Sequence, residues 1–198
     1  MTFANHSNRR FRALLIPFML LAALLGSACQ SLPDPPGQNV TEIFHGTLEI
    51  VQPADVVVAP ITVEGNAGVV PTMELRKAFQ RNLLLRRYSA LALPYTDRRV
   101  VNASYKSGSL YEDAILKIIV KKWDMSRWSS NKEVAVVMEA WMISSKDESQ
   151  LWGGRFEKTF YLQQDMAHRA TEKGAFEETA QLIASRLMEI MPARTPKP

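Results

Sequence analysis

The chain has 198 residues, a formal net charge of +4 and one cysteine. One cysteine excludes an intramolecular disulfide, and it leaves an intermolecular pair or a free thiol open. The basic balance is no argument for a nucleic-acid partner: Arg9, Arg10 and Arg12 supply three charges, and without residues 1–28 the chain holds 21 basic against 20 acidic residues.

The first 28 residues carry one signal. Behind the three arginines lies an apolar stretch over residues 13–25, followed by Gly26, Ser27, Ala28 and then Cys29. A basic start, an apolar core of ~7–15 residues and small residues before a cut make a secretory leader. A spanning helix needs ~20 apolar residues, and this run has 13. Leu24-Leu25-Gly26-Ser27-Ala28-Cys29 resembles the lipobox of bacterial lipoproteins. The resemblance implies cleavage before Cys29 and three acyl chains on it, and two or more such chains anchor stably. It also implies delivery to the outer membrane, periplasmic face, because Gln30 and Ser31 follow where an aspartate would signal retention.

The 170 residues left suffice for one domain, residues 41–192. A domain of about 150 residues buries roughly 68–70% of its unfolded surface, so it needs no disulfide or metal. Residues 29–40 contain Pro33, Pro35, Pro36 and Gly37 and read as an extended tether. Residues 41–50 read weakly, as an extended lead-in. His45 has no second histidine near it and reads as a satisfied or solvated side chain rather than a metal ligand. Residues 55–62 are β-branched and flanked by Pro53 and the Gly65/Gly68 loop, a buried strand that Pro60 places at an edge or near its end.

Residues 72–87 are a helix, with Leu75, Ala78, Phe79 and Leu83 on one stripe. Arg76, Lys77, Arg81, Arg86 and Arg87 make the remainder basic, either a contact for anionic lipid, glycan or an acidic partner, or a solvated face. Residues 89–94 read as a second short strand and 96–111 as a polar loop. Three strands follow over residues 114–123, 133–144 and 150–162, an antiparallel meander. Residues 175–191 form a second amphipathic helix, stopped by Pro192, and residues 193–198 should fray. The fold class is α+β: an antiparallel-rich sheet of about five strands with two main helices on one face.

The chemistry is mostly negative. The sequence has no Gly-x-Ser-x-Gly elbow and no phosphate-cradling Gly-x-x-x-x-Gly-Lys loop. Zinc needs three or four ligands, and beyond the leader only His45, His168 and Cys29 offer nitrogen or sulfur. The acid pairs Glu112-Asp113 and Glu177-Glu178 read as solvated rather than as an acid/base pair. Neither cofactor nor metal is implied. Trp123 and Trp128 bracket the first meander loop, as partner contacts or as caps on the core.

Alternation places Leu116, Ile118 and Val120 with Val134, Val136, Met138, Ala140 and Met142 on the helix-covered face. Folding the meander about Trp128, and then about Lys146-Asp147, predicts a Lys117–Glu139–Arg155 stripe on the other face, with Trp141 over Gly153. Trp141 thereby joins Trp123, Trp128, Arg76 and Arg81 as a candidate partner contact.

Glu112-Asp113-Ala114 before a strand, and Leu151-Trp152-Gly153-Gly154 in a later one, resemble the TolB amino-terminal and CsgG-like periplasmic domains over residues 50–190. The resemblance implies a small envelope lipoprotein acting through protein contacts in assembly or secretion, and it supplies no catalytic residues. The expected function is therefore a non-enzymatic interaction module, with a lipid- or glycan-binding auxiliary, or an unrecognised periplasmic enzyme, as the alternatives.

Overall fold

The computed structural model describes residues 38–65, 68–100, 106–161 and 172–195. The chain enters edge strand β1 (Val40–His45), turns through α1 (Leu48–Val51), and continues into β2 (Asp55–Val58) and β3 (Thr62–Val63). Helix α2 (Thr72–Leu85) leads to β4 (Ser89–Ala90) and α3 (Leu93–Val100). The meander is β5 (Ala114–Asp124), a single turn α4 (Trp128–Asn131), β6 (Glu133–Ser144) and β7 (Gln150–Tyr161). Helix α5 (Glu172–Ile190) closes the domain.

The sheet has seven strands in the order β1-β7-β6-β5-β2-β4, with β3 also paired to β5. It is therefore α+β as expected, but larger than five strands and mixed. Strands β1, β7, β6 and β5 run antiparallel, whereas β2, β3 and β4 pair in parallel. The reason is two crossovers: α2 returns the chain to β4 and α3 lies on the return to β5, and a strand entered that way runs parallel to its predecessor.

Leu116, Ile118 and Val120 and the five apolar residues of β6 all lie on the covered face. Leu75, Ala78, Phe79 and Leu83 of α2, with Ala180, Ile183, Ala184 and Leu187 of α5, pack on them. Fully burying a Leu, Ile or Phe contributes ~1.5–3 kcal/mol, so this layer dominates the stability.

Three local readings change. Residues 41–50 split into the edge strand and a turn of helix that buries Leu48. The strand at 89–94 stops after Ala90, because Pro94 sits in the first turn of α3. The tail expected to fray from residue 193 is held at its start. Tyr88 donates its hydroxyl to the Pro192 carbonyl at 2.7 Å, Arg194 N–H bonds the Arg86 carbonyl at 3.0 Å, and Thr195 N–H bonds Gln52 Oε1 at 3.1 Å.

Candidate functional site

On the sheet face away from α2 and α5, β6 aligns Glu139 with Arg155 of β7, and Trp141 with Gly153, as expected. The β5 partner differs: Lys117 faces Trp141, and Ile119 faces Glu139. The turn α4 lies on the β6 side of Trp128 and moves the pairing by two residues. A two-residue slip keeps every side chain on its face and changes only its neighbour. The cation beside Glu139 is thus Lys121, the extra residue of a bulge between Val120 and Lys122.

Glu139 accepts from Arg155 Nη1 at 3.3 Å and from Trp141 Nε1 at 3.3 Å, with Lys121 Nζ at 3.8 Å. Lys121 donates to Glu64 at 2.9 Å and Arg155 Nη2 to Glu157 at 3.0 Å, so five charged groups alternate across the face. The hydrogen bond to Glu64 holds the Lys121 ammonium above the ordinary lysine range, and the Glu139 charge adds to it. The Trp141 indole lies on Gly153, where a Cβ would come within 2.6 Å of it, and Phe44 approaches at 6.4 Å between ring centres. Gly154 serves the other face: a Cβ there would meet the Trp152 ring at 2.7 Å and Leu187 at 3.2 Å.

The other sequence candidates separate. Trp123 is a core residue, 1% exposed, edge-on to Phe176 at 6.1 Å, and so is no surface contact. Trp128 is partly buried at 5.8 Å from Phe176, with Lys132 Nζ 5.5 Å over its ring. Arg76 is also enclosed, at 5% exposure. It donates to Asp97 Oδ1 at 2.6 Å and to the Val58 carbonyl at 3.0 Å, bracketing α2, α3 and β2 rather than facing a partner. Arg81 is exposed and makes no ion pair among the described residues. Cys29, the proposed lipidation site, lies outside the described residues.

The acid pair at Glu112-Asp113 reads differently in three dimensions. Glu112 is buried and accepts the backbone N–H groups of Gly108 at 2.6 Å and Leu110 at 2.8 Å. Asp113 Oδ2 accepts those of Ala54 at 2.7 Å and Asp55 at 3.1 Å, fastening β2 to β5. Both carboxylates hold backbone, and their position before a strand was the available signal. Among the described residues, no group of three or more His, Cys, Asp or Glu could hold a metal ion. No helix among them is long and apolar enough to cross a membrane.

No protein-family model and no curated protein matches this sequence. Solved structures are similar to it at low identity. One is the PelC dodecamer from Paraburkholderia phytofirmans, 12% identical with a TM-score of 0.48, covering 75% of this chain and 96% of that one. A second is lipoprotein GNA1162 from Neisseria meningitidis, at 17% and 0.47, covering 66% and 96%. A third is a DUF4136 family protein from Bacteroides thetaiotaomicron, at 9% and 0.46, covering 80% and 97%.

Proposed function

We propose that this protein is a bacterial envelope lipoprotein, held by acyl chains on Cys29 at the periplasmic face of the outer membrane. Its domain works by binding another protein in envelope assembly or secretion, without catalysis. The observation that carries this reading is Leu24-Leu25-Gly26-Ser27-Ala28-Cys29 behind a basic, apolar leader. The ten residues from Gln30 to the start of β1 reach about 35 Å, which keeps the domain beside its bilayer.

Three features support the non-enzymatic part. Glu112 and Asp113 hold backbone, Arg76 and Asp97 join three elements, and the Glu139 carboxylate is shared by Arg155, Lys121 and Trp141. Charged groups placed this way serve the fold. The lipid- or glycan-binding alternative needs an apolar groove between helices and sheet, and Phe79, Leu83, Ile183 and Leu187 fill that space. The resemblance to TolB amino-terminal and CsgG-like domains belongs to the same proposal.

The test is photo-crosslinking in cells, with the crosslinker at Trp128 or Trp141 and at buried Trp123 as the control. A discrete crosslinked protein from either surface position, absent from the control, supports the reading. Membrane-bound protein that yields none at both positions refutes it.

A further inference from the structure

We infer that the end of the domain formed by α1 and the C-terminus of α2 rests on the bilayer, with Ile50, Val51, Leu84 and Leu85 among anionic lipid headgroups. The inference rests on the lipid-anchored reading and extends it from attachment to orientation.

These side chains share one end of the fold. Helices α2 and α5 finish there, and the chain after α5 lies between the ends of α1 and α2. Arg194 ties them, its N–H to the Arg86 carbonyl at 3.0 Å and its Nε to the Gln52 carbonyl at 3.4 Å. On one side of this strap Ile50 is 83% and Val51 49% exposed; on the other Leu85 is 69% and Leu84 56% exposed. None of the four belongs to the core, which takes Leu48 from α1 and Leu83 from α2. A lone exposed leucine is ordinary, but two outward aliphatic pairs flanking one strap are the form an interaction surface takes.

Charge selects the occupant. Arg81 lies three and four residues before Leu84 and Leu85, on the same side of α2. Arg87 follows them, and neither arginine makes an ion pair among the described residues. Lys146 and Arg194 line an open polar cavity of about 750 Å³ beside Val51 and Gln52, together with Glu112 and Asp113, whose carboxylates are taken up by backbone N–H groups. The acidic neighbours are Glu49 on α1, and Glu74 and Glu177, which share an open cavity with Arg81. Aliphatic side chains beside free guanidinium groups suit a phospholipid surface, where apolar groups enter the headgroup boundary and Arg meets phosphate. The tether permits the pose. Val40 pairs with Phe156, six residues along β7 from Gln150, so it lies about 20 Å from this end. A reach of about 35 Å covers that distance.

The test uses the full acylated chain in phosphatidylcholine–phosphatidylglycerol vesicles, with bimane on a cysteine replacing Ile50, Leu85 or, as a control on the open sheet face, Glu157. Acylated Cys29 does not react with the label. Labels at 50 and 85 should sit ~5–10 Å into the boundary and lose most of their emission to shallow doxyl lipid, while the label at 157 keeps its own. Arg81→Glu with Arg87→Glu should relieve that quenching. Equal quenching at all three positions overturns the inference. So does protection of positions 50 and 85 by a co-purifying protein instead of lipid. The mass of the Cys29 peptide from the same sample reports failure of the anchor separately. If Cys29 is unacylated, Cys29→Ser removes the competing thiol, and the same labels test the contact on added vesicles.

Discussion

Glu112 is where a structural carboxylate and a catalytic one make opposite predictions. Its two oxygens accept the N–H groups of Gly108 and Leu110, and Ser145 donates to its carbonyl, so the side chain closes the loop leading into β5. Hydrogen bonds to a charged acceptor contribute about 1.5–3 kcal/mol each. At 4% exposure water cannot replace them until the loop opens, and that opening caps the loss. Glu112→Ala should therefore cost about 2–3 kcal/mol, and Glu112→Gln about as much, because its one carbonyl oxygen serves a single N–H and its NH2 faces the other. With a urea slope of about 2 kcal/mol/M, the alanine variant's unfolding midpoint should fall by about 1–1.5 M at unchanged slope. Asp147→Ala is the control: this carboxylate bonds Ser149 within its own turn, and its loss should stay within about 0.5 kcal/mol. A Glu112→Ala loss no larger than that of Asp147→Ala would refute the clamp. An increase in stability would point instead to a carboxylate held against the fold for chemistry.

Other outcomes follow from the same geometry. Glu139→Ala leaves Arg155, Lys121 and Trp141 without their shared acceptor and should cost about 1–2 kcal/mol, whereas Lys117→Ala should stay within about 0.5; equal urea midpoints would contradict the observed register. Gly153→Ala pushes a Cβ into the Trp141 indole and should cost about 1–3 kcal/mol, relieved in the double variant with Trp141→Ala; additive losses would mean the ring does not rest there. Burial pushes the Tyr88 phenol up to about 12, against the nearby Arg86 and Arg194 charges. The folded state then keeps a proton that the unfolded chain releases near pH 10. Tyr88 contributes fully below that pH and loses about 2–3 kcal/mol as pH rises from 10 to 12. Tyr88→Phe should flatten this alkaline decline in thermal unfolding, and an unchanged slope would exclude Tyr88 as its source.

The sequence was most legible where burial repeats at a fixed period. Alternation in β5 and β6 and the stripe of α2 place the core, because a one-residue error would turn polar side chains inward. Edge strand β1 was obscure because both its faces are largely open, so Val-Thr-Glu-Ile-Phe-His carries no alternation. The parallel strands β3 and β4 are two residues long, below the length at which a pattern exists. The ion network shifted because its register depends on a helical turn and a bulge, which are local backbone choices with little apolar signature. Arg76 looks like a surface charge in sequence because its partner Asp97 lies on α3, whose eight residues carry too short a stripe to stand apart from a strand and a loop. Trp123 and Trp128 look equivalent in sequence, and the depth of Phe176 between them decides that one is core and the other rim.

Whether Cys29 is the lipid-bearing start of the mature protein can be read from its mass. Mass spectrometry of the N-terminal peptide from the membrane form should find no residue before Cys29, with a diacylglyceryl group on its sulfur and an acyl chain on its amine. Cys29→Ala should then leave the protein unprocessed or release it from the membrane. An unmodified thiol at Cys29, or a retained leader, would contradict the account.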